Sequence, residues 1–156
     1  MHYSLTNTAA GPVTVLNRVP SGMSGAAVDY DPAAAYVTDA DGGQQVVVSQ
    51  QVFARPDTDG ENLETSPVTG ATALAAGETL EGDVTVDRPF VRATPYDDDG
   101  DIPSDAATVR FCLGVIATPL VGGDTRTVGS SGLLVVNDDS TFERQYLFCS
   151  DPAPLD

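Results

Sequence analysis

The amino-acid sequence predicts an all-β fold, an antiparallel two-sheet sandwich of roughly seven to eight strands in one domain covering residues 1–156. Short runs of alternating apolar and polar residues recur along the chain, as expected of strands with one face on a core. Turn-forming residues separate these runs, including 15 Gly and 11 Pro. Because no stretch has a convincing helical pattern, a sandwich is favoured over an α/β fold.

The most apolar run, residues 109–117, is predicted to be the central strand. Its β-branched and aromatic content and its short length favour a strand over a buried helix. Every second residue of this run is apolar and is expected to face the core: Val109, Phe111, Leu113 and Val115.

Further strands are predicted at residues 3–7, 13–19, 35–38, 44–53, 79–87, 133–136 and 143–149. The first two should form a hairpin, and an Asp-Gly turn within 39–43 should join the next two. Residues 20–25 are expected to be a loop, and 55–77 a connection with an edge strand near Val68. Within this connection, the Ala-rich stretch 71–76 is expected to form at most a single helical turn.

The chain is strongly acidic, which limits its partners. It has 23 acidic and 7 basic residues, all Arg, and a formal net charge of −16. Nucleic acids and anionic membrane surfaces are bound through Lys and Arg, so neither is expected as a partner. A protein or cell-envelope partner and divalent cations remain possible, and the acidic surface also favours solubility.

The two cysteines, Cys112 and Cys149, are predicted to form a disulfide. Cys112 lies on the outer parity of the central strand, and Cys149 ends the last strand, in which Tyr146 and Phe148 take the parity that faces the core. If the two strands are antiparallel neighbours, a cross-strand pair has the spacing that a disulfide requires. The alternative is two buried free thiols.

The compartment is predicted from these same features. No run of about 18 apolar residues could insert into a membrane, and residues 1–7 lack the features of a signal peptide. The chain is therefore either cytoplasmic or a protein whose leader is absent from this sequence. A disulfide favours the second, an extracytoplasmic location.

Residues 3–16 (YSLTNTAAGPVTVL) and 74–86 (LAAGETLEGDVTV) resemble segments of small exported bacterial immunoglobulin-like domains. In these domains an early strand ends in Asn before a short turn, and an L-x-x-G-E-x motif introduces a strand in the middle of the domain. The resemblance implies an immunoglobulin-like sandwich. It also implies roles that range from adhesion and envelope scaffolding to subunits of secreted assemblies and protease inhibition by end loops.

Two acidic loops are candidate calcium sites, since Ca²⁺ takes six to eight oxygen ligands from flexible loops. Neither loop has EF-hand spacing, and Asp and Gly also form ordinary solvated turns. The candidate ligands are Asp57, Asp59 and Glu61 in the first loop and Asp97, Asp99, Asp101 and Asp105 in the second. No other cofactor is predicted.

Catalysis is not expected. The one histidine, His2, lies beside a terminus expected to fray, so a nucleophile has no evident base. Trp is absent, which weakens the case for a glycosidase that uses a pair of carboxylates. Such an enzyme ranks third, after a binding or structural module and a protease inhibitor.

Four glutamines are predicted to face solvent, with a polar contact surface as the alternative: Gln44, Gln45, Gln50 and Gln51.

The sequence therefore predicts a non-enzymatic, exported binding or structural module of the cell envelope or extracellular space. Recognition is expected on end loops at residues 20–33, 55–66 and 94–105. The alternatives are an inhibitor of a secreted protease, which would use one of these loops, and a calcium-stabilised adhesion domain.

Overall fold

The structure is a computed structural model that describes residues 1–24, 27–56, 68–96, 100–117, 120, 124–128, 133–136 and 138–155. Within these residues the chain is all-β, as predicted, with more strands than the seven to eight expected. The strands are β1 His2–Thr6, β2 Val13–Ser24, β3 Ala27–Asp31, β4 Tyr36–Ala40, β5 Gln45–Gln50, β6 Thr69–Leu74, β7 Thr79–Asp83, β8 Thr108–Ile116, β9 Thr125–Val128, β10 Leu133–Val136, β11 Gln145–Cys149 and β12 Ala153–Pro154. One α-helical turn, α1, spans Asp138–Thr141, and 3₁₀ turns lie at Asp41–Gly43 and Phe142–Arg144.

The strands form two sheets. The larger has the order β4-β5-β8-β2-β6-β10-β9, with β11 and β12 also on β8 and β3 also on β2. The smaller contains β1 and β7. The β5–β8 pair is parallel and the other pairs are antiparallel, so the prediction of purely antiparallel sheets is wrong.

β8 occupies the central position predicted for it. One of its edges pairs with β11 and then β12, which together follow almost its whole length. The other edge pairs with β5 as far as Leu113 and with β2 from Gly114 onward. β8 therefore changes partner on this edge at residues 113–114, where the larger sheet divides.

The main core lies between the two sheets. The ring of Tyr3 in β1 stacks on Phe111 in β8 with the ring centroids 5.2 Å apart. Phe111, Leu113 and Val115 are buried in this core, as predicted. The face of β8 that points away from the main core is also buried at the C-terminal end of the strand. There Ile116 belongs to a second buried cluster with Leu16, Val52, Ala71 and Val136.

The predicted hairpin of β1 and β2 is wrong, because β1 pairs with β7 instead. Asn7 explains the difference. Its buried side-chain amide donates to the carbonyl oxygens of Gly11 and Leu74, both at 3.0 Å, and its backbone N–H donates to Glu78 O at 2.9 Å. These bonds direct the chain across from one sheet to the other.

Two other segments differ from the prediction. Residues 20–24 continue β2 rather than forming a loop, and a register shift between Pro20 and Gly22 accommodates the proline as β2 pairs with β3. Most of the Ala-rich stretch 71–76 lies in β6, between β2 and β10. A Cβ on Gly70 would lie 2.7 Å from Arg18 Cβ, so small residues are needed for β6 to approach β2 closely.

The hairpin predicted around residues 39–43 is confirmed. β4 and β5 pair antiparallel from Tyr36 opposite Ser49 to Ala40 opposite Gln45. The strand predicted at 79–87 ends at Asp83, after which Thr85 N–H donates to Ala33 O at 2.9 Å. Among the described residues, no helix is long and apolar enough to cross a membrane.

Candidate functional site

The predicted disulfide between Cys112 and Cys149 is confirmed. The two residues are paired directly across β8 and β11, with their Cα atoms 4.1 Å apart. Cys112 is buried and Cys149 is exposed. The bond therefore attaches an outer strand to the centre of the larger sheet.

The structure describes only two of the seven candidate calcium ligands. Asp101 and Asp105 are exposed. No group of three or more His, Cys, Asp or Glu side chains that could hold a metal ion occurs within the described ranges. The other five lie outside the described residues: Asp57, Asp59, Glu61, Asp97 and Asp99.

The three segments expected to carry recognition have different outcomes. Residues 20–33 are largely the hairpin of β2 and β3, so the loop predicted there is wrong. Most of 55–66 lies outside the described residues. In the described part of 94–105, Gly100 O accepts a hydrogen bond from Arg92 N–H at 3.0 Å, and the Arg92 side chain pairs with Asp39.

Two of the four glutamines are buried, contrary to the prediction that they face solvent. Gln50 is fully buried, and its Nε2 donates to Pro32 O at 2.9 Å and to Ala34 O at 2.8 Å. Gln45 is also buried, and its Nε2 donates to Thr108 Oγ1 at 3.3 Å. Gln45 therefore links β5 to β8, and Gln50 links β5 to the connection between β3 and β4.

His2 lies in β1, where its Nδ1 is 3.1 Å from Asp83 Oδ1, and both side chains are exposed. The expected fraying of this terminus is wrong, because β1 is paired with β7 along its length and Met1 N donates to Val84 O at 2.6 Å.

The strongest candidate for a binding site is the outer strand β11. Tyr146, Leu147 and Phe148 expose 64%, 47% and 57% of their surface, although they are consecutive and apolar. We call these three residues the aromatic edge. Tyr146 and Phe148 take the parity of the core face, as predicted, because they pair with Val115 and Leu113. They are nevertheless exposed, because β11 is an outer strand that pairs only with β8 among the described strands.

A groove of about 180 Å³ lies beside the aromatic edge. Tyr146 and Phe148 line one side, and Val13 and Val115 line it from β2 and β8. The remaining side is formed by residues 5–9, which Asn7 orders through its hydrogen bonds. The groove therefore opens the main core toward solvent between β1 and β11.

The outer edge of β11 presents backbone groups that no described strand pairs. In an antiparallel ladder, close pairs of about 4.5 Å point their N–H and C=O groups away from the partner strand. The Cys112–Cys149 pair is of this kind, whereas Ser150 N–H donates to Phe111 O at 2.8 Å in the next, hydrogen-bonded pair. By alternation, Leu147 also directs its N–H and C=O outward from β8.

The start of β11 is held in place by a side chain that crosses β8. Gln145 Nε2 donates to Val52 O at 2.7 Å, and its Oε1 accepts from Val52 N–H at 3.1 Å. The crossing requires Gly114, because a Cβ there would lie 2.8 Å from Leu16 Cδ1 and 2.9 Å from Gln145 Oε1. With the disulfide at the other end, β11 is fixed at both ends.

The surroundings of β11 are acidic. Glu143 precedes the strand and Asp151 follows it, and both are exposed. The neighbouring cation, Arg144, is paired with Asp124 through Nη1 and Oδ2 at 2.8 Å. The aromatic edge is therefore an apolar surface between two negative charges.

No known protein family, curated protein or solved structure matches this chain. One sequence signal could have indicated the site on β11: this strand is apolar on both parities, a pattern typical of strands covered on both faces. A strand of this kind near the edge of a sheet indicates cover supplied from outside the sheet.

Proposed function

We propose that this chain is a non-enzymatic, exported binding module that recognises a protein partner through the aromatic edge. The observation that carries the proposal is the exposure of three consecutive apolar side chains on β11, beside an apolar groove. Tyr146 and Phe148 share the face of the groove, and Leu147 lies on the opposite face. Exposed apolar surface of this kind is typical of an interaction site. Aromatic side chains are also the ones that contribute most to protein–protein affinity.

Other features support an extracytoplasmic binding role. The Cys112–Cys149 disulfide is compatible with an oxidising compartment. A net charge of −16 disfavours nucleic acids and anionic membranes as partners. The two-sheet, all-β architecture is compatible with an immunoglobulin-like sandwich, and the proposal moves recognition from the end loops to an edge strand.

The test compares capture of partners from envelope and culture-medium fractions by the native protein and by a Tyr146→Ser/Phe148→Ser variant. Loss of the two aromatic anchors should lower the captured amount about tenfold or more, since such truncations cost about 2 kcal/mol or more of binding free energy. The matched control is Val91→Ser, which removes a side chain with 51% exposure at a different place.

Thermal unfolding of all three proteins shows whether each variant is folded. Equal capture by the native protein and the β11 variant would contradict the proposal, as would equal losses in the β11 and Val91 variants.

A further inference from the structure

Resting on the proposed function, we propose that the partner contributes an extended strand with basic residues at both ends, which adds to the outer edge of β11. The partner strand would extend the larger sheet and cover the aromatic edge. Strand addition of this kind takes affinity from backbone hydrogen bonds and specificity from alternate side chains.

The backbone of β11 is suited to this mode. Leu147 and Cys149 direct N–H and C=O groups outward, and Gln145 adds a C=O group, while its N–H donates to Phe142 O. Edge strands are usually protected by a charge, a proline or a bulge. β11 has none of these between Gln145 and Cys149, and its register with β8 is continuous.

The side chains define the face that the partner strand must cover. Tyr146 is paired with Val115 and Phe148 with Leu113, so both lie on the face of the main core. A strand laid along β11 places every second side chain on this same face, beside the groove. We therefore expect the partner strand to be apolar at alternate positions.

The charges argue against a second copy of this chain. Antiparallel pairing of two β11 strands centred on Leu147 brings Glu143, which precedes the strand in one copy, to the same end of the pair as Asp151, which follows the strand in the other. Like charges brought together in this way repel each other, and each copy carries a net charge of −16. A strand with Lys or Arg at its ends would instead meet Glu143 and Asp151 with opposite charge.

The first experiment titrates the isotope-labelled protein with synthetic peptides and follows backbone amide signals and their hydrogen exchange. The main peptide alternates Val and Thr over the length of β11 and carries Lys-Arg at both ends. It should bind and protect the Leu147 and Cys149 amides from exchange. A peptide with Glu-Asp ends should bind about tenfold more weakly at low salt, and the difference should shrink as salt is added.

Two further peptides carry the same side chains as the main peptide and are N-methylated on alternate residues. One is methylated on the edge that would face β11, and the other on the opposite edge. Methylation of the edge that faces β11 should abolish protection of Leu147 and Cys149, whereas methylation of the other edge should not. Binding unaffected by either pattern would overturn strand addition, and so would failure of the basic peptide to bind at millimolar concentration.

A protein variant tests the hydrogen bond that the Leu147 N–H would donate to the partner strand. Leu147→Pro removes an N–H that points away from β8, so the ladder to β8 keeps its hydrogen bonds, and peptide affinity should fall about tenfold or more. Leu147→Ala is the matched control, because it shortens the side chain and keeps the N–H. Equal affinities of the two variants would contradict strand addition, and the N-methylated peptides decide the question if the proline variant does not fold.

These outcomes separate the two proposals. Partner capture that depends on Tyr146 and Phe148, without amide protection by any peptide, would overturn strand addition and leave the binding module. Capture that is independent of the aromatic edge would overturn the proposed function itself. Protection of the Leu147 amide that grows with protein concentration in the absence of peptide would indicate a second copy as the occupant.

Discussion

β5 and β11 lie on opposite edges of the same strand, β8, and their burial is the reverse of what their compositions suggest. All six residues of β5 are buried, including Gln45, Ser49 and Gln50. In β11 the four residues after Gln145 are exposed, including both aromatic rings. The difference shows that position in the sheet, and not the polarity of a strand, decided which strand was covered.

The two strands differ in their neighbours. β5 lies between β4 and β8, and its buried amides donate to the chain around it. β11 pairs only with β8 among the described strands, and its residues from Tyr146 to Cys149 are exposed. An apolar pattern thus indicates that a strand needs cover, while the source of the cover depends on the fold or on a partner.

The largest expected effect comes from releasing β11 from β8. Replacing both cysteines (Cys112→Ala/Cys149→Ala) should lower the free energy of unfolding by about 4 kcal/mol, the loop-entropy value for a bond that closes about this many residues; here the sequence separation is 37. Denaturant unfolding with and without reductant measures it. Reductant should destabilise only the native protein, and a change of less than about 1 kcal/mol would contradict the loop-entropy value.

The comparison of β5 with β11 is tested directly by truncating one side chain in each. Val48→Ala should cost about 2 kcal/mol of stability, because Val48 is fully buried and its lost methyl groups leave a cavity. Leu147→Ala removes more atoms but should cost less than about 1 kcal/mol, because Leu147 is 47% exposed. Equal losses in denaturant unfolding would mean that β11 is covered in solution.

A smaller effect is expected where Gln145 links β11 to Val52, two residues after the end of β5. Gln145→Leu removes both hydrogen bonds to the backbone of Val52 and should cost about 1 to 2 kcal/mol, because Val52 is buried and its N–H loses a partner. Gln44→Leu, at an exposed glutamine, is the control and should change stability by less than about 0.5 kcal/mol. Similar unfolding midpoints for the two variants would contradict this role of Gln145.

The smallest effect is expected at Tyr3, whose ring stacks on Phe111 in the main core, whereas the ring of Tyr146 is exposed. Burial raises the pKa of Tyr3 above its ordinary value of 10.0, and a hydrogen bond with Asn17 and the Arg18 charge offset part of the rise. The folded protein therefore holds this proton more tightly than the unfolded chain, and stability should fall as pH rises above 10. Tyr3→Phe keeps the stacking on Phe111 and should reduce this decline, measured by unfolding across alkaline pH with Tyr146→Phe as control.

Much of the fold could be predicted because it depends on local patterns. The alternation in residues 109–117 predicted a central strand, and the parity of Cys112 and Cys149 predicted their disulfide. The turn at 39–43 predicted the β4–β5 hairpin. Of the candidate site, the sequence indicated the position of β11 but not the exposure of its aromatic side chains.

What the sequence by itself determined was the position of several strands, such as β5, β8 and β11, and which of their residues share a face, because a strand repeats every two residues. Only the tertiary structure decided that β1 pairs with β7, that β5 runs parallel to β8, and that β6 fills the space beside β2. These choices join residues far apart in the chain and depend on which edges and apolar faces fit together. The same long-range packing left the aromatic edge exposed, because β11 was placed on the outside of β8 with no further described strand beside it.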